Sequence, residues 1–351
     1  MSRSAAAATL AATFLSGCLA ATPFDEGAWR QTVEGTEASA LYAPHRDRDG
    51  RFFNPWLRQQ KSFGDFLRWR FSRAEDMGAH APTATAKPND GAYLGSSDAP
   101  PSLTHVGHAT FALQWGGPVI VTDPFFGKRA AIPRRLLAPA FGPEQIPAGA
   151  VVVISHNHYD HLDADSVEAL APRARFLCPA GLADFLRKRG VRDVRELDWW
   201  ESVEVDGTRF TCLPAQHWSR RLGQAYNETL WCSWLLERGG RRVYYGGDSG
   251  YFKGYREIGR RYPGIDVALL GVGAFAPRWF MHYAHMDTAE VLRAFEELGA
   301  RTLVPAQWGV LKLGDEPAAW PAVLLEQEAA ALPALAGRVR LLPVGGRLLL
   351  E

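Results

Sequence analysis

Three histidines and two aspartates fall within eight residues of this chain, in the run Ser155-His156-Asn157-His158-Tyr159-Asp160-His161-Leu162-Asp163. Imidazole and carboxylate with no thiolate form the donor set of catalytic Zn²⁺ or a similar divalent ion. His156 and His158, two residues apart, can reach one ion, while Asp160 and His161 turn toward a second. The competing reading is a polar loop carrying histidines by chance.

What must position these groups is the apolar run ahead of them, Val151-Val152-Val153-Ile154. It is rich in β-branched residues and too short for an ordinary helix, so it reads as a buried strand. A strand end delivers side chains at a fixed height above a rigid sheet. From residue 102 the pattern alternates quickly. Strands are expected at 103–106, 109–115 and 119–122, the last two joined by a Gly116-Gly117 hairpin. After the metal loop, helices are expected at 165–171, 180–188, 252–261, 287–298 and 322–331. Strands intervene at 175–178, 194–197, 201–213, 229–236, 241–246, 266–271 and 302–305, with a last hairpin through Gly345-Gly346. Hairpins with interspersed helices give an α/β fold of two mixed sheets with helices outside.

The N-terminal part reads differently. Arg3, the apolar stretch from Ala5 to Leu15 and Leu15-Ser16-Gly17-Cys18 resemble a bacterial lipoprotein signal and cleavage box. This predicts a signal over 1–18, lipidation of Cys18, and a cell-envelope location, outer membrane facing the periplasm. Residues 19–100 are expected as a tether and an aromatic-rich helical extension, and 101–351 as the catalytic domain. Within the extension Phe63, Phe66, Leu67 and Phe71 form a helical stripe flanked by basic residues. The stripe either packs on the domain as core or meets lipid. Cys178, Cys212 and Cys232 offer no C-x-x-C, which excludes a thiolate zinc site of that type. A Cys212–Cys232 disulfide and buried free thiols both remain open. With 47% hydrophobic and 22% charged residues the chain suits a substantial core, and a net charge of +1 gives no case for a nucleic-acid partner.

The His-x-His-x-Asp-His motif resembles that of the metallo-β-lactamase superfamily. Thr104-His105-Val106-Gly107-His108-Ala109-Thr110, Thr122-Asp123-Pro124, Glu196 to Glu201, Gln216-His217-Trp218, Gly247-Asp248-Ser249-Gly250-Tyr251 and Pro277-Arg278-Trp279-Phe280-Met281 follow in order. Together they resemble the N-acylphosphatidylethanolamine-hydrolysing phospholipase D branch, over roughly residues 50–325. The resemblance implies a four-layer αββα sandwich. It also implies a Zn²⁺ centre of one or two ions, the first held by His156, His158 and His217, the second by Asp160, His161 and Asp248. Asp248 would bridge, with Gly246-Gly247 letting the backbone pass close to the metal loop. One position departs from the family: Gln307 stands where a ligand histidine is expected, and its carbonyl is a poorer zinc donor than imidazole. Three consequences are open: a weakened second position, a harder ion such as Mn²⁺ or Mg²⁺ in it, or a single Zn²⁺.

By the same resemblance a metal-bound hydroxide attacks a phosphodiester, with Asp160 and Asp248 as metal-binding carboxylates. His285 then positions or protonates the leaving group. Asp123 is expected to orient a ligand histidine, and His108 to stand behind the ligands. The implied activity is hydrolysis of N-acylphosphatidylethanolamine-type phospholipids to phosphatidic acid and N-acylethanolamine. The alternatives are a lactonase, another small phosphoester hydrolase, or a lipid-binding envelope lipoprotein without turnover. The expected partners are a phospholipid substrate and the membrane surface reached through lipidated Cys18, with a homodimer as an open assembly.

Overall fold

Val151–Val153 forms a strand of three residues, and its side chains divide between two cores. Val151 and Val153 enter the cluster between two sheets, while Val152 faces a second cluster beneath helices. That alternation is the period-2 geometry of a strand covered on both faces. The computed structural model describes residues 24–59, 61–72 and 83–350. The lipoprotein signal and Cys18 lie outside the described residues. No described helix is long and apolar enough to cross a membrane.

The strands run β1 (Ser102–Gly107), β2 (Thr110–Gln114), β3 (Ile120–Thr122), β4 (Val151–Val153), β5 (Arg175–Pro179), β6 (Val194–Leu197), β7 (Ser202–Val205), β8 (Thr208–Leu213), β9 (Ser233–Arg238), β10 (Arg241–Tyr245), β11 (Val267–Gly271), β12 (Thr302–Ala306) and β13 (Arg347–Leu349). Their helices are α1 (Glu26–Glu34), α2 (Phe63–Phe71), α3 (Ala164–Leu170), α4 (Ala183–Arg187), α5 (Gly254–Arg261), α6 (Arg278–Met281), α7 (Thr288–Leu298) and α8 (Trp320–Ala330). One sheet has the order β13-β1-β2-β3-β4-β5-β6, the other β12-β11-β10-β9-β8-β7. Strands β3 to β6 pair in parallel, as do β10 to β12, and the remaining pairs are antiparallel. The inner faces of both sheets contribute to one large cluster, and α3 and α4 cover the outside of the first sheet. This is the anticipated two-sheet sandwich with flanking helices.

Two expectations fail in the termini. The last hairpin through Gly345-Gly346 does not form: β13 pairs with β1, while Val344 bridges Ala86 in the extension. The stretch ahead of the aromatic-rich helix is expected as a tether, yet Glu26–Glu34 is helical, N-capped by the Asp25 carboxylate, with Trp29 and Val33 buried. Both rely on long-range contacts that local pattern does not encode.

The aromatic extension splits. Phe52 and Trp56 are buried, Trp56 stacking on Phe252 at 5.0 Å and lying 5.4 Å from Trp199. α2 forms where the stripe predicts it, behind a Ser62/Asp65 capping box, but none of its residues is buried. Of the two placements open for Phe63, Phe66, Leu67 and Phe71, packing as core is corrected: all four are exposed. Cys178, Cys212 and Cys232 are free, buried thiols.

Candidate metal centre

The donor residues come from strand ends. His156, His158, Asp160 and His161 follow β4, His217 lies beyond β8, Asp248 follows β10, and Gln307 comes directly after β12. Gly247 permits the convergence. Its φ is +58°, and a Cβ there would stand 2.7 Å from the Ser155 Cβ. Any side chain would push Asp248 away from the metal loop.

Two donor sets result. In the first, His156 Nε2 lies 2.8 Å from His158 Nδ1, and His217 Nε2 lies 3.2 Å from the same atom. Asp248 Oδ2 closes the set, 3.7 Å from His156 Nε2 and 3.5 Å from His217 Nε2. Burial pushes the pKa of all three imidazoles down, so each is neutral and carries one N–H. The His156 Nδ1–H is directed to Ser155 Oγ at 2.9 Å and the His217 Nδ1–H to the Ala284 carbonyl at 3.2 Å. Both Nε2 atoms therefore present lone pairs to a common point. A divalent cation answers that arrangement, and a hydrogen bond does not.

The second set is richer in carboxylate. His161 Nε2 lies 3.3 Å from Asp160 Oδ2 and 3.0 Å from Asp248 Oδ1. Neither His161 Nε2 nor Asp248 Oδ1 has a hydrogen-bond partner, although both are buried. The two atoms face each other at 3.0 Å without hydrogen-bond geometry, an arrangement that a shared cation would satisfy. Burial disfavours charge on His161, but Asp248, Asp160 and Asp123 together hold its pKa well above the usual value. Burial likewise opposes the Asp160 and Asp248 carboxylates, and the neighbouring His161 outweighs it, keeping both pKa values well below the usual range. The donor types and the orphaned atoms fit one divalent ion in each set, with Asp248 offering one oxygen to each.

Around these ligands stand groups that hold them. Asp123 accepts from His161 Nδ1 at 2.6 Å, Ser155 N at 2.6 Å, Ser155 Oγ at 2.5 Å and Tyr245 Oη at 2.5 Å. The expected role of Asp123 thus falls on His161, whose tautomer it fixes. His108, at φ +58° beside Gly107, places Nε2 2.9 Å from Asp160 Oδ2. His285 lies just ahead of α7, whose start is fixed by an Asp287/Glu290 capping box. Its ring meets that of His217 edge-on at 5.5 Å, and burial lowers its pKa. Gln307 turns elsewhere. Its amide nitrogen donates to the Gly247 carbonyl at 3.1 Å, and its side chain packs over Gly271. It buttresses the turn that carries Asp248.

Sequence reasoning missed several supports. Asn54 donates to the His217 carbonyl at 3.2 Å, and the Trp56 indole donates to Gln216 Oε1 at 3.0 Å, so the extension grips the segment bearing His217. Arg221 is buried and donates to the carbonyls of Asn157 and Leu162 at 2.8 and 2.7 Å, spanning the metal loop from beneath. Only the crowding of aromatic residues around Trp56 hinted at the first of these.

The profile of the beta-lactamase superfamily domain matches residues 119–308, from β3 to just past Gln307, and so contains every donor above. The chain belongs to the metallo-β-lactamase superfamily. It is 39% identical over 249 residues to an uncharacterized protein of Mycobacterium tuberculosis, covering 68% of this chain and 65% of that protein. It is 34% identical over 229 residues to the N-acyl-phosphatidylethanolamine-hydrolyzing phospholipase D 1 of Caenorhabditis elegans, covering 60% and 64%. The chain thus spans just under two thirds of the length of each. Among solved structures, a metallo hydrolase from the archaeon Ignicoccus hospitalis superposes with a TM-score of 0.57 at 23% identity, over 72% of this chain and 99% of that one. At that identity the likeness shows the superfamily fold alone.

Proposed function

We propose that this member of the superfamily is a metal-dependent phosphodiesterase acting on N-acylphosphatidylethanolamine-type phospholipids. Asp248 carries the reading: its two oxygens face two separate donor sets, 3.5 Å from His217 Nε2 and 3.0 Å from His161 Nε2. A carboxylate shared in this way suits chemistry in which an attacking and a leaving oxygen must be served together. The similarity to the C. elegans phospholipase supports the substrate class.

His156, His158, His217 and Asp248 would hold one divalent ion, and Asp160, His161 and Asp248 a second. When bound, such ions lower the pKa of water and offset charge on a phosphoryl group. The chain's own groups supply orientation. Asp123 keeps the His161 ring fixed, and His108 fixes the Asp160 carboxylate. His285, whose ring meets that of His217 edge-on at 5.5 Å and whose pKa burial lowers, would offer a hydrogen bond to the departing headgroup oxygen, which takes its proton from solvent. Hydrolysis breaks the bond between phosphorus and that oxygen, which takes a proton, while phosphorus gains the oxygen of water. The products are phosphatidic acid and N-acylethanolamine. We place the mature protein in the cell envelope through an acylated Cys18, on the sequence signal at residues 1–18.

The full-length chain loaded with Zn²⁺ or Mn²⁺ should release N-acylethanolamine from N-acylphosphatidylethanolamine. Plain phosphatidylethanolamine should react at least about tenfold more slowly. Absence of cleavage with every metal tried would overturn the activity. Mass spectrometry of the mature protein tests the anchor: an unmodified first residue would remove it.

A further inference from the structure

Several large apolar side chains stand in water with nothing in the fold holding them. Leu222 is 93% exposed, Ile132 83%, Phe71 73%, Phe63 67% and Leu136 59%. Scattered single cases need no explanation, but clustered ones mark interaction surfaces. These five belong to three segments that meet. The loop after β3 carries Ile132 and Leu136, and the Leu136 amide donates to the Val310 carbonyl at 2.8 Å. The stretch beyond β12 that holds Val310 reaches α2, where Trp69 Nε1 donates to Asp315 Oδ1 at 3.1 Å. The approach to α2 touches the loop of residues 218–228 through the Tyr226 hydroxyl, which donates to Gln59. That loop returns to the metal loop, since the Leu222 amide donates to the Tyr159 hydroxyl at 3.1 Å. Tyr159 and Leu137 both pack against the cluster that contains Val310, which closes the circuit. The ring of contacts runs through Tyr159, between the donors His158 and Asp160, and through the loop that begins at Trp218, next to His217.

Charge is arranged on the same segments. Arg129 and Arg134 are exposed beside Ile132, Arg220 beside Leu222, and Arg68 and Arg70 on α2. The whole chain carries a formal charge of only +1, so this bias is local. Apolar tips among arginines match a bilayer interface, where side chains enter the acyl boundary and guanidinium groups stay with anionic headgroups.

We propose that this rim is a membrane-docking face. Leu222, Ile132, Leu136 and the exposed side of α2 enter an anionic phospholipid surface together and present the metal centre to it. The choice of occupant rests on the phospholipid reading above. The face is distinct from an anchor at Cys18, because it orients the site against the bilayer, whereas an acyl chain at Cys18 would tether the chain at that residue alone.

The test uses the full-length chain with Cys18→Ser throughout, which removes any acyl anchor. Single cysteines introduced as Leu222→Cys, Ile132→Cys or Phe66→Cys are labelled with an environment-sensitive nitrobenzoxadiazole dye. The native Cys178, Cys212 and Cys232 are buried and stay unlabelled. Leu332→Cys, exposed and outside the ring, is the control. Vesicles of phosphatidylcholine with 30 mol% phosphatidylglycerol should blue-shift the emission at 222, 132 and 66, and leave 332 unchanged. The double variant Ile132→Ser with Leu222→Ser should lower vesicle affinity about tenfold while sparing cleavage of a short-chain, water-dispersed substrate. A shift at position 66 alone, or at none of the three, overturns the docking face. So does concentration-dependent dimerisation that the double variant abolishes without any response to vesicles. Labels that enter lipid in a protein with no phospholipase activity would sink the substrate reading and leave the docking face standing. Cleavage of dispersed substrate with water-exposed labels would do the reverse.

Discussion

The two donor sets that share Asp248 are neutralised in opposite ways. The first gathers three imidazoles made neutral by burial, with His156 oriented through its far nitrogen by Ser155 and His217 by the Ala284 carbonyl. Its lone pairs already converge. In the second, carboxylates outnumber imidazoles, and His161 is driven toward its protonated form by Asp248, Asp160 and Asp123. Without a cation the second set neutralises itself, and Gln307, which the sequence places at the expected fourth donor, is engaged with Gly247 instead. A site that offers free lone pairs binds metal directly. One that holds an internal ion pair must first lose a proton. The expected consequence is a tight first ion and a weaker second.

The largest effect should come from the residue common to both sets. Asp248→Ala is expected to lose both ions and at least about 10³-fold in kcat/KM, read by elemental analysis and assay together. Retention of either ion would break the comparison. His217→Ala should strip the first set only, with a loss of about 10²-fold or more and the second ion still detectable in excess metal. His108→Ala removes the support of Asp160 and should weaken the second ion by roughly tenfold without touching the first, since partners of ligands contribute 10–100-fold. Equal weakening of both would show that the sets are not separable. Gln307→His sharpens the contrast in the other direction. It should raise second-ion affinity by about tenfold, provided that the imidazole can leave the Gly247 carbonyl and face Asp248.

The smallest signal is in protons. At pH 7 the first set holds none to lose, because its imidazole pKa values are lowered. His161 has a raised pKa, so a second ion must displace about one proton, and affinity there should rise with pH up to that pKa. Calorimetry in buffers of different ionisation enthalpy reads the count. Proton release with the first ion instead would reverse the assignment.

Much of this centre was legible because its signals are local. Val151 to Ile154 announce a strand, the histidines follow immediately, and Gly247 advertises a close approach that the 2.7 Å Ser155 contact explains. The hairpin at Gly116-Gly117 carried its own turn residues, and β2 and β3 pair across it. What escaped depends on partners distant in sequence. Arg221 is buried because two carbonyls of the metal loop lie opposite it, and Tyr245 because Asp123 accepts its hydroxyl. The N-terminal α1 has little periodicity of its own. It is held by Trp29 to Glu290 at 3.2 Å and by Glu26 to Arg278 at 2.7 Å. The stripe on α2 was legible as helical but not as exposed, and core and lipid stayed open, since helical spacing says which residues share a face and not what covers it.

The most direct test counts metal in the full-length protein after dialysis against limiting zinc, with manganese, iron and magnesium measured in parallel. The account predicts one ion retained per chain, a second bound only in excess, and none in Asp248→Ala. A parent protein that retains no ion under any condition would contradict it.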